Sequence, residues 1–258
     1  MTIHAMAIVA DGAQLHPSVE VGPFTIIDDG AVIGEGSVIG SGVRIHGRTR
    51  IGAHNQIFDN AVLGALPQDT GFDPATESYL TIGDHNVLRE GVNISRAKMA
   101  GASTRLGDHN FFMCNVHLGH DCEFENHIII APGTVVGGHV DVADGAFISG
   151  LVAVHQFCRI GELAMIAGGT KVVKDIPPFA MADGNPATVI GNNVVGLRRN
   201  GFDAKQRAAI KSSYKTLFKS GINTSLALEQ LKGEEFGAEV LSIIDFFEQS
   251  QRGVTAHR

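Results

Sequence analysis

The sequence predicts a mainly β protein, a parallel β-helix of six-residue turns followed by a small α-helical domain. Three observations carry that reading. Apolar anchors recur every six residues, from Val9 through Leu15, Val21, Ile27, Ile33, Ile39, Ile45, Ile51 and Ile57 to Leu63. They resume at Ile82, Leu88 and Ile94, then run unbroken from Leu106 to Val172. Such a unit is too short for a helical repeat and suits one strand plus one turn. Second, the position two before each anchor is small or β-branched, as at Ala13, Val19, Thr25, Ala31 and Ser37. An offset of two puts both side chains on one face of a strand. Third, the chain has 32 glycines in 258 residues, and they often follow an anchor, as in "VIGEGSVIGSGV" at 32–43. Glycine there eases a tight turn. Three units close a triangular coil of 18 residues, and about eight coils at ~4.8 Å each stack into a prism roughly 40 Å long. An ordinary sandwich with evenly spaced strands would not hold this phase, and the period does not set the hand of the coil.

Residues 1–190 form the prism, with two interruptions. The segment 66–80, "LPQDTGFDPATESYL", shifts the phase by one residue and reads as an external loop. In "RAKMAGASTR", 96–105, an anchor is skipped and Ala100 stands where an aliphatic belongs, which marks a second loop. Loops protruding from a rigid solenoid commonly carry recognition. The period ends in "DIPPFAMADGNPA", 175–187, where proline is expected to stop strand pairing. Residues 191–258 are expected to be helical. Asp203 is placed as an N-cap ahead of Ile210, Tyr214, Leu217 and Phe218, and Val240, Ile243, Ile244 and Phe247 repeat the spacing.

A net charge of −7 argues against a chain-wide nucleic-acid footprint. The three cysteines, Cys114, Cys122 and Cys158, are an odd count without paired motifs, which suits a reducing cytoplasm. The first residues show no secretory pattern, and no apolar run of 18 residues or more is present to span a bilayer.

Residues 18 apart stack on adjacent coils, so His120 lies against Gly138, and Gly138 against Gln156. Their neighbours His139 and His155 then join His120 along one edge, with His117 expected around the bend. Two chemistries fit. Histidine is the usual general base near neutral pH, and glycine can expose a backbone N–H to a developing oxyanion. Three histidines also suffice for a catalytic zinc. Residue chemistry leaves these two level.

The hexads together with "HLGHDC" (117–122), "GGHV" (137–140), "AVHQFCRIG" (153–161), "DIPPFAMADGNPA" and "GLRRNGF" (196–202) resemble the UDP-N-acetylglucosamine O-acyltransferases. These are hexapeptide-repeat acyltransferases that begin lipid A synthesis. The resemblance covers nearly the whole chain. It implies a left-handed parallel β-helix, a homotrimer with active sites between subunits, a sugar-nucleotide acceptor, and acyl carrier protein as thioester donor with no cofactor and no metal. It implies His120 as general base, Asp121 as its orienting neighbour and Gly138 as the oxyanion donor, with His117, His139 and His155 in support. Gln68 and Asp69 match a sugar-contacting loop, Asn193 and Arg199 match positions near the nucleotide, and Gly168 matches the position that limits acyl-chain length.

The chain departs from that pattern on the acceptor side. Gly71 replaces a lysine, "SRAK" at 95–98 replaces "HRGT", Val195 replaces a glutamate and Asn200 an arginine. A related acyltransferase using another sugar nucleotide or an amino sugar is therefore the nearest alternative. A trimeric zinc enzyme like the γ-class carbonic anhydrases is the runner-up from another class, and a non-catalytic solenoid is a third. Finally, Arg207, Lys211, Lys215 and Lys219 recur every four residues, a basic helical ridge suited to an acidic carrier protein.

Overall fold

The computed structural model describes residues 2–233 and 237–258. Among the described residues, short strands stack into three sheets of 11, 9 and 8 strands. They are parallel, each paired with its equivalent one coil away, except for one antiparallel strand at the end of the largest sheet. The prism is deeper than the eight coils expected. Its first coil starts at Thr2–Ile3, before the first anchor, and Ala180–Asp183 continues a sheet beyond the last one.

The anchors point inward and are almost wholly buried: Ile27, Ile45, Leu63, Leu88, Ile94, Leu118, Ile130 and Val172 are at or near zero exposure. Each such side chain contributes about 2 kcal/mol. The small residues two places earlier fill the corners of the triangle, Ala31, Ala61, Val92, Val116 and Ala146 being equally buried. Along the axis, each coil's N–H groups bond to carbonyls of the next, as in Ile26 N to Val43 O (2.9 Å) and His117 N to Thr134 O (3.0 Å).

Every coil turns by placing single residues in the left-handed region, and many are not glycine: Asn60, His85, His109, Asn115, Asp121, His127 and His139 all have φ near +57°. Asn, Asp and His tolerate this conformation best among side chains bearing a Cβ. One corner is filled by His54, His85, His109 and His127, whose rings stack in a column at 4.8–5.0 Å. Beneath it, Asn55, Asn86 and Asn110 form a buried ladder, Asn86 N donating to Asn55 Oδ1 and Asn110 N to Asn86 Oδ1, each at 2.9 Å.

Both loops fall close to where the phase breaks, though strands claim their ends. Tyr79–Ile82 and Ser103–Leu106 pair in parallel, leaving 66–78 and 96–102 as the excursions. They bind each other: Gly101 N donates to Glu77 O (2.7 Å) and Ala97 N to Tyr79 O (3.1 Å). Arg96 is 4% exposed and pins the longer loop through bonds to Thr76 O (2.7 Å) and Pro74 O (2.9 Å), with Phe72 against its guanidinium.

The prolines do not end the pairing as expected. Ala180–Asp183 lies past Pro177 and Pro178, where its N–H groups are free to bond, and it turns back through Thr188–Asn192 in an antiparallel hairpin. Among the described residues four helices follow: α1 (Val194–Arg199), α2 (Ala204–Lys219), α3 (Thr224–Lys232) and α4 (Ala238–Gln249). Asp203 caps α2 in a capping box with Gln206. Tyr214 anchors α2 to the prism, its hydroxyl donating to Pro178 O at 2.5 Å, and burial holds that phenol well above its usual range. The chain end returns to the prism through bridges Asp175–Val254 and Val189–His257.

Candidate active site

Opposite the histidine column, another corner carries His120, Gly138 and Gln156 in register, followed by Asp121, His139 and Phe157 in the left-handed positions. Asp121 is fixed from several sides. Its N–H donates to Thr104 Oγ1 (2.8 Å), and its Oδ2 accepts from His120 Nδ1 (2.6 Å) and from Lys98 N (2.9 Å). With the Nδ1 proton committed to the carboxylate, His120 keeps its lone pair on Nε2. Both side chains are mostly buried, at 14% and 10% exposure.

Any side chain at 138 would displace the His120 ring. A Cβ there would lie 2.9 Å from both Cε1 and Nε2 of His120, so the free edge of the imidazole rests over the Gly138 backbone. The Gly138 N–H has no hydrogen-bond acceptor among the described residues. A lone pair and an unused backbone donor therefore stand side by side.

Both face a cavity of about 640 Å³, whose wall includes Gln68, Asp69, Thr70, Ser95, His117 and Gln156. His117 is not around a bend. It points out of the same sheet, with Nδ1 on Asn93 Oδ1 (3.0 Å), and burial lowers its pKa. His139 stands on the far side of Asp121, edge-on to His120 at 5.1 Å and stacked on Phe157 at 4.6 Å. Its pKa is lowered chiefly by burial, against the pull of Asp121.

The expected edge of three histidines is thus an edge of two. His155 sits one place before the turn, exposed, with its ring on Gln156 O (3.0 Å), and it does not line the cavity. Gly168 lies exposed across the same sheet, and Arg199 is exposed on α1. Asn193 is occupied elsewhere: it caps α1 at Gly196 N and donates to Leu163 O (2.9 Å). On α2, Lys211, Lys215 and Lys219 are exposed as a ridge requires, whereas Arg207 turns its guanidinium to Phe202 O.

Two residues of "SRAK", which the sequence marks only as a departure from the family pattern, belong to this site. Ser95 lines the cavity, and its buried Oγ has no partner among the described residues. An unmet buried hydroxyl costs about 1–3 kcal/mol, which a ligand can recover. Lys98 reaches the site from the shorter loop, its ammonium 2.8 Å from Asp69 Oδ2. Asp69 takes the Gly71 N–H on its other oxygen (2.8 Å), and these bonds, the one from Lys98 foremost, hold its carboxyl below the usual range.

Among the described residues one trio could supply metal donors, His120, Asp121 and His139. It contains two histidines rather than three, and Asp121 Oδ2 already serves His120 and Lys98. A separate groove of about 600 Å³ is lined by Glu123, Glu125, Asp141, Asp144, Glu162 and Asp245 against one arginine, Arg159, a poor environment for an anionic substrate. Burial and the adjacent carboxylates push Asp141 and Glu162 up.

Residues 175–255 match the family model described as UDP-N-acetylglucosamine O-acyltransferase, domain 2, and residues 12–47 match the bacterial transferase hexapeptide model. The chain is 44% identical to the acyl-[acyl-carrier-protein]–UDP-N-acetylglucosamine O-acyltransferase of Verminephrobacter eiseniae, over 89% of this chain and 87% of that protein. It is 42% identical to the protein of the same name from Stutzerimonas stutzeri, over 98% of each. Among solved structures, the UDP-N-acetylglucosamine acyltransferase of Francisella novicida superposes with a TM-score of 0.96 at 35% identity, covering 99% of this chain and 94% of that one. An Acinetobacter baumannii structure does so at 0.95 and 37%, covering 99% and 100%. The prism is accordingly a left-handed parallel β-helix.

Proposed function

The chain belongs to the acyl-carrier-protein-dependent UDP-N-acetylglucosamine O-acyltransferases, and from that membership we propose that His120, Asp121 and Gly138 carry the transfer of an acyl chain to the sugar 3-hydroxyl. The enzyme moves an acyl group from acyl carrier protein to UDP-N-acetylglucosamine, a reaction of lipid A synthesis. One observation supports the residue assignment above the rest: the imidazole tied to Asp121 presents its free nitrogen beside the uncapped N–H of Gly138.

The steps follow from that pairing. The sugar hydroxyl oxygen attacks the thioester carbonyl carbon while His120 Nε2 takes the hydroxyl proton. Asp121 stabilises the imidazolium that forms, and the Gly138 N–H meets the oxyanion of the tetrahedral intermediate. Collapse breaks the C–S bond, and the departing carrier thiolate takes the proton back from His120. The transfer uses no cofactor or metal in this reading, the acylated carrier being a substrate.

In this reading the active enzyme is a homotrimer, working in the cytoplasm where carrier protein and sugar nucleotide meet. His155, Gly168 and Arg199, which one chain leaves outside its own cavity, are the residues a neighbouring subunit would bring to it. The exposed Lys211, Lys215 and Lys219 are the docking ridge for the acidic carrier. The departures at Ser95, which lines the cavity, and at Gly71, two residues after Asp69, make an amino-sugar nucleotide the second reading.

The experiment is a competition between UDP-N-acetylglucosamine and its 3-amino analogue with acyl carrier protein loaded with plain or 3-hydroxy chains, the products resolved by mass. Ester formation on the 3-hydroxyl is expected. Exclusive amide formation would transfer the assignment to the amino sugar, and product from neither would overturn the reading.

A further inference from the structure

The wall of the cavity at His120 contains, among the described residues, no lysine or arginine and one carboxylate, Asp69. A sugar nucleotide carries a diphosphate, for which one chain's wall holds no cation. The Arg199 that a neighbouring subunit would bring is a second and separate source. Among the described residues, Lys98 is the only lysine or arginine bonded to any side chain of that wall. It has two attachments. Its main-chain N–H holds Asp121 Oδ2, the oxygen that orients His120, and its ammonium reaches Asp69 on the recognition loop.

We propose that Lys98 couples acceptor recognition to the base: its ammonium is shared between Asp69 and the acceptor's diphosphate, while its N–H keeps Asp121 and His120 aligned. Lys98 is thus a positioning residue for the base and a binding residue for the acceptor. This rests on the acyltransferase reading above, since it needs an anionic acceptor in this cavity. Three features support it beyond the ion pair itself. The side chain is one-third exposed, so the ammonium can turn toward a ligand without breaking a buried bond. Gly71, beside Asp69, offers no cation of its own. Three residues earlier on the same stretch, Ser95 presents its unpartnered hydroxyl to the same cavity, so one short segment supplies both a neutral and a charged contact.

The two attachments separate by substitution. Lys98→Met keeps the main-chain N–H and deletes the ammonium. It is expected to raise KM for UDP-N-acetylglucosamine by about ten- to a hundredfold, the range for a lost hydrogen bond between charged groups. Its kcat should change less than about threefold, because the Asp121 anchor survives. Lys98→Arg should recover most of the loss, and the native KM should rise with salt more steeply than that of Lys98→Met. If Lys98 only braces the loop, KM of the native protein and of Lys98→Met will share one salt dependence and Lys98→Met will lower the melting temperature, and the proposal fails. It fails as well if Lys98→Met leaves KM unchanged while the native protein turns UDP-N-acetylglucosamine over normally. Should the native protein itself neither bind nor acylate that acceptor, the fault lies in the functional reading. A Ser95→Ala variant, which removes a hydroxyl without touching the fold, is expected to raise KM by a smaller factor and to leave its salt dependence as in the native protein.

Discussion

Two corners of the prism use the same backbone turn for opposite ends. At the corner of the histidine column, the N–H just before each left-handed residue is capped by a side chain from the next coil. Ala53 N donates to Asp84 Oδ1 (2.6 Å), Asp84 N to Asp108 Oδ1 (2.7 Å), Asp108 N to Asn126 Oδ1 (2.8 Å) and Asn126 N to Asp144 Oδ1 (2.7 Å). The same place in the turn at the other corner is held by His120, Gly138 and Gln156. No such cap reaches Gly138, and its N–H faces a cavity. The left-handed residues differ in the same sense. His54, His85, His109 and His127 stack on one another, exposed, without a side-chain hydrogen bond among the described residues. Asp121 instead spends its carboxylate on its neighbour His120. Chemistry arises on this scaffold where the repeating turn leaves a donor unsatisfied and puts an acid beside a histidine.

The comparison breaks if the two histidine sets behave alike. His120→Ala is expected to lose about 10²–10⁴-fold in turnover, the range for a positioned general base, with its melting temperature nearly unchanged. His109→Asn, which keeps a residue that tolerates the left-handed turn at an exposed position in the column, should keep full turnover and shift stability by no more than about 0.5 kcal/mol. Equal losses in the two variants would mean that histidines here serve only the fold.

A smaller effect sharpens the contrast at the backbone. Gly138→Ala adds a carbon against the His120 ring, and displacing a catalytic group by about 1 Å costs on the order of 10²-fold in turnover. An alanine variant with native kinetics would show that the ring does not work from the position it occupies over Gly138.

Smaller still is a dependence of stability on pH. Burial lowers the pKa of both His117 and His139 from the ordinary 6.5. In the unfolded chain these rings take protons at higher pH than in the folded one, so the stability they contribute is present above pH 6.5 and lost as pH falls through the folded values. Melting temperature should fall on acidification from about pH 7.5 to about pH 5.5, and the fall should be shallower in His117→Gln. Parallel curves would remove His117 from the account.

Much of the scaffold was legible in the sequence because its signal is local. A six-residue period of buried anchors has few solutions, and the same period places His120 against Gly138 through the 18-residue offset. The phase breaks at 66–80 and 96–105 located the two loops for the same reason. What the period could not resolve is side-chain direction within a turn. His139 and His155 both neighbour the stacked edge, but His139 occupies the left-handed place within the turn and His155 the place before a turn, so their rings leave in different directions. The contacts of Lys98 were hidden for another reason. They join Asp69 and Asp121 across two irregular loops, where no repeat relates one position to another. The hairpin beyond Pro178 was lost to a general rule about proline that applies to the proline's own N–H and not to the residues after it.

The pH dependence of kcat/KM tests the central assignment most directly, because it reports the ionisation of the free enzyme's essential base. With saturating acylated carrier protein and limiting UDP-N-acetylglucosamine, the native protein should lose activity on the acid side, as an enzyme working through a neutral general base does. The residual activity of His120→Ala should lack that acid limb, while His139→Asn should retain it. An acid limb that survives in His120→Ala and disappears in His139→Asn would contradict the account and move the base to the other histidine of the corner.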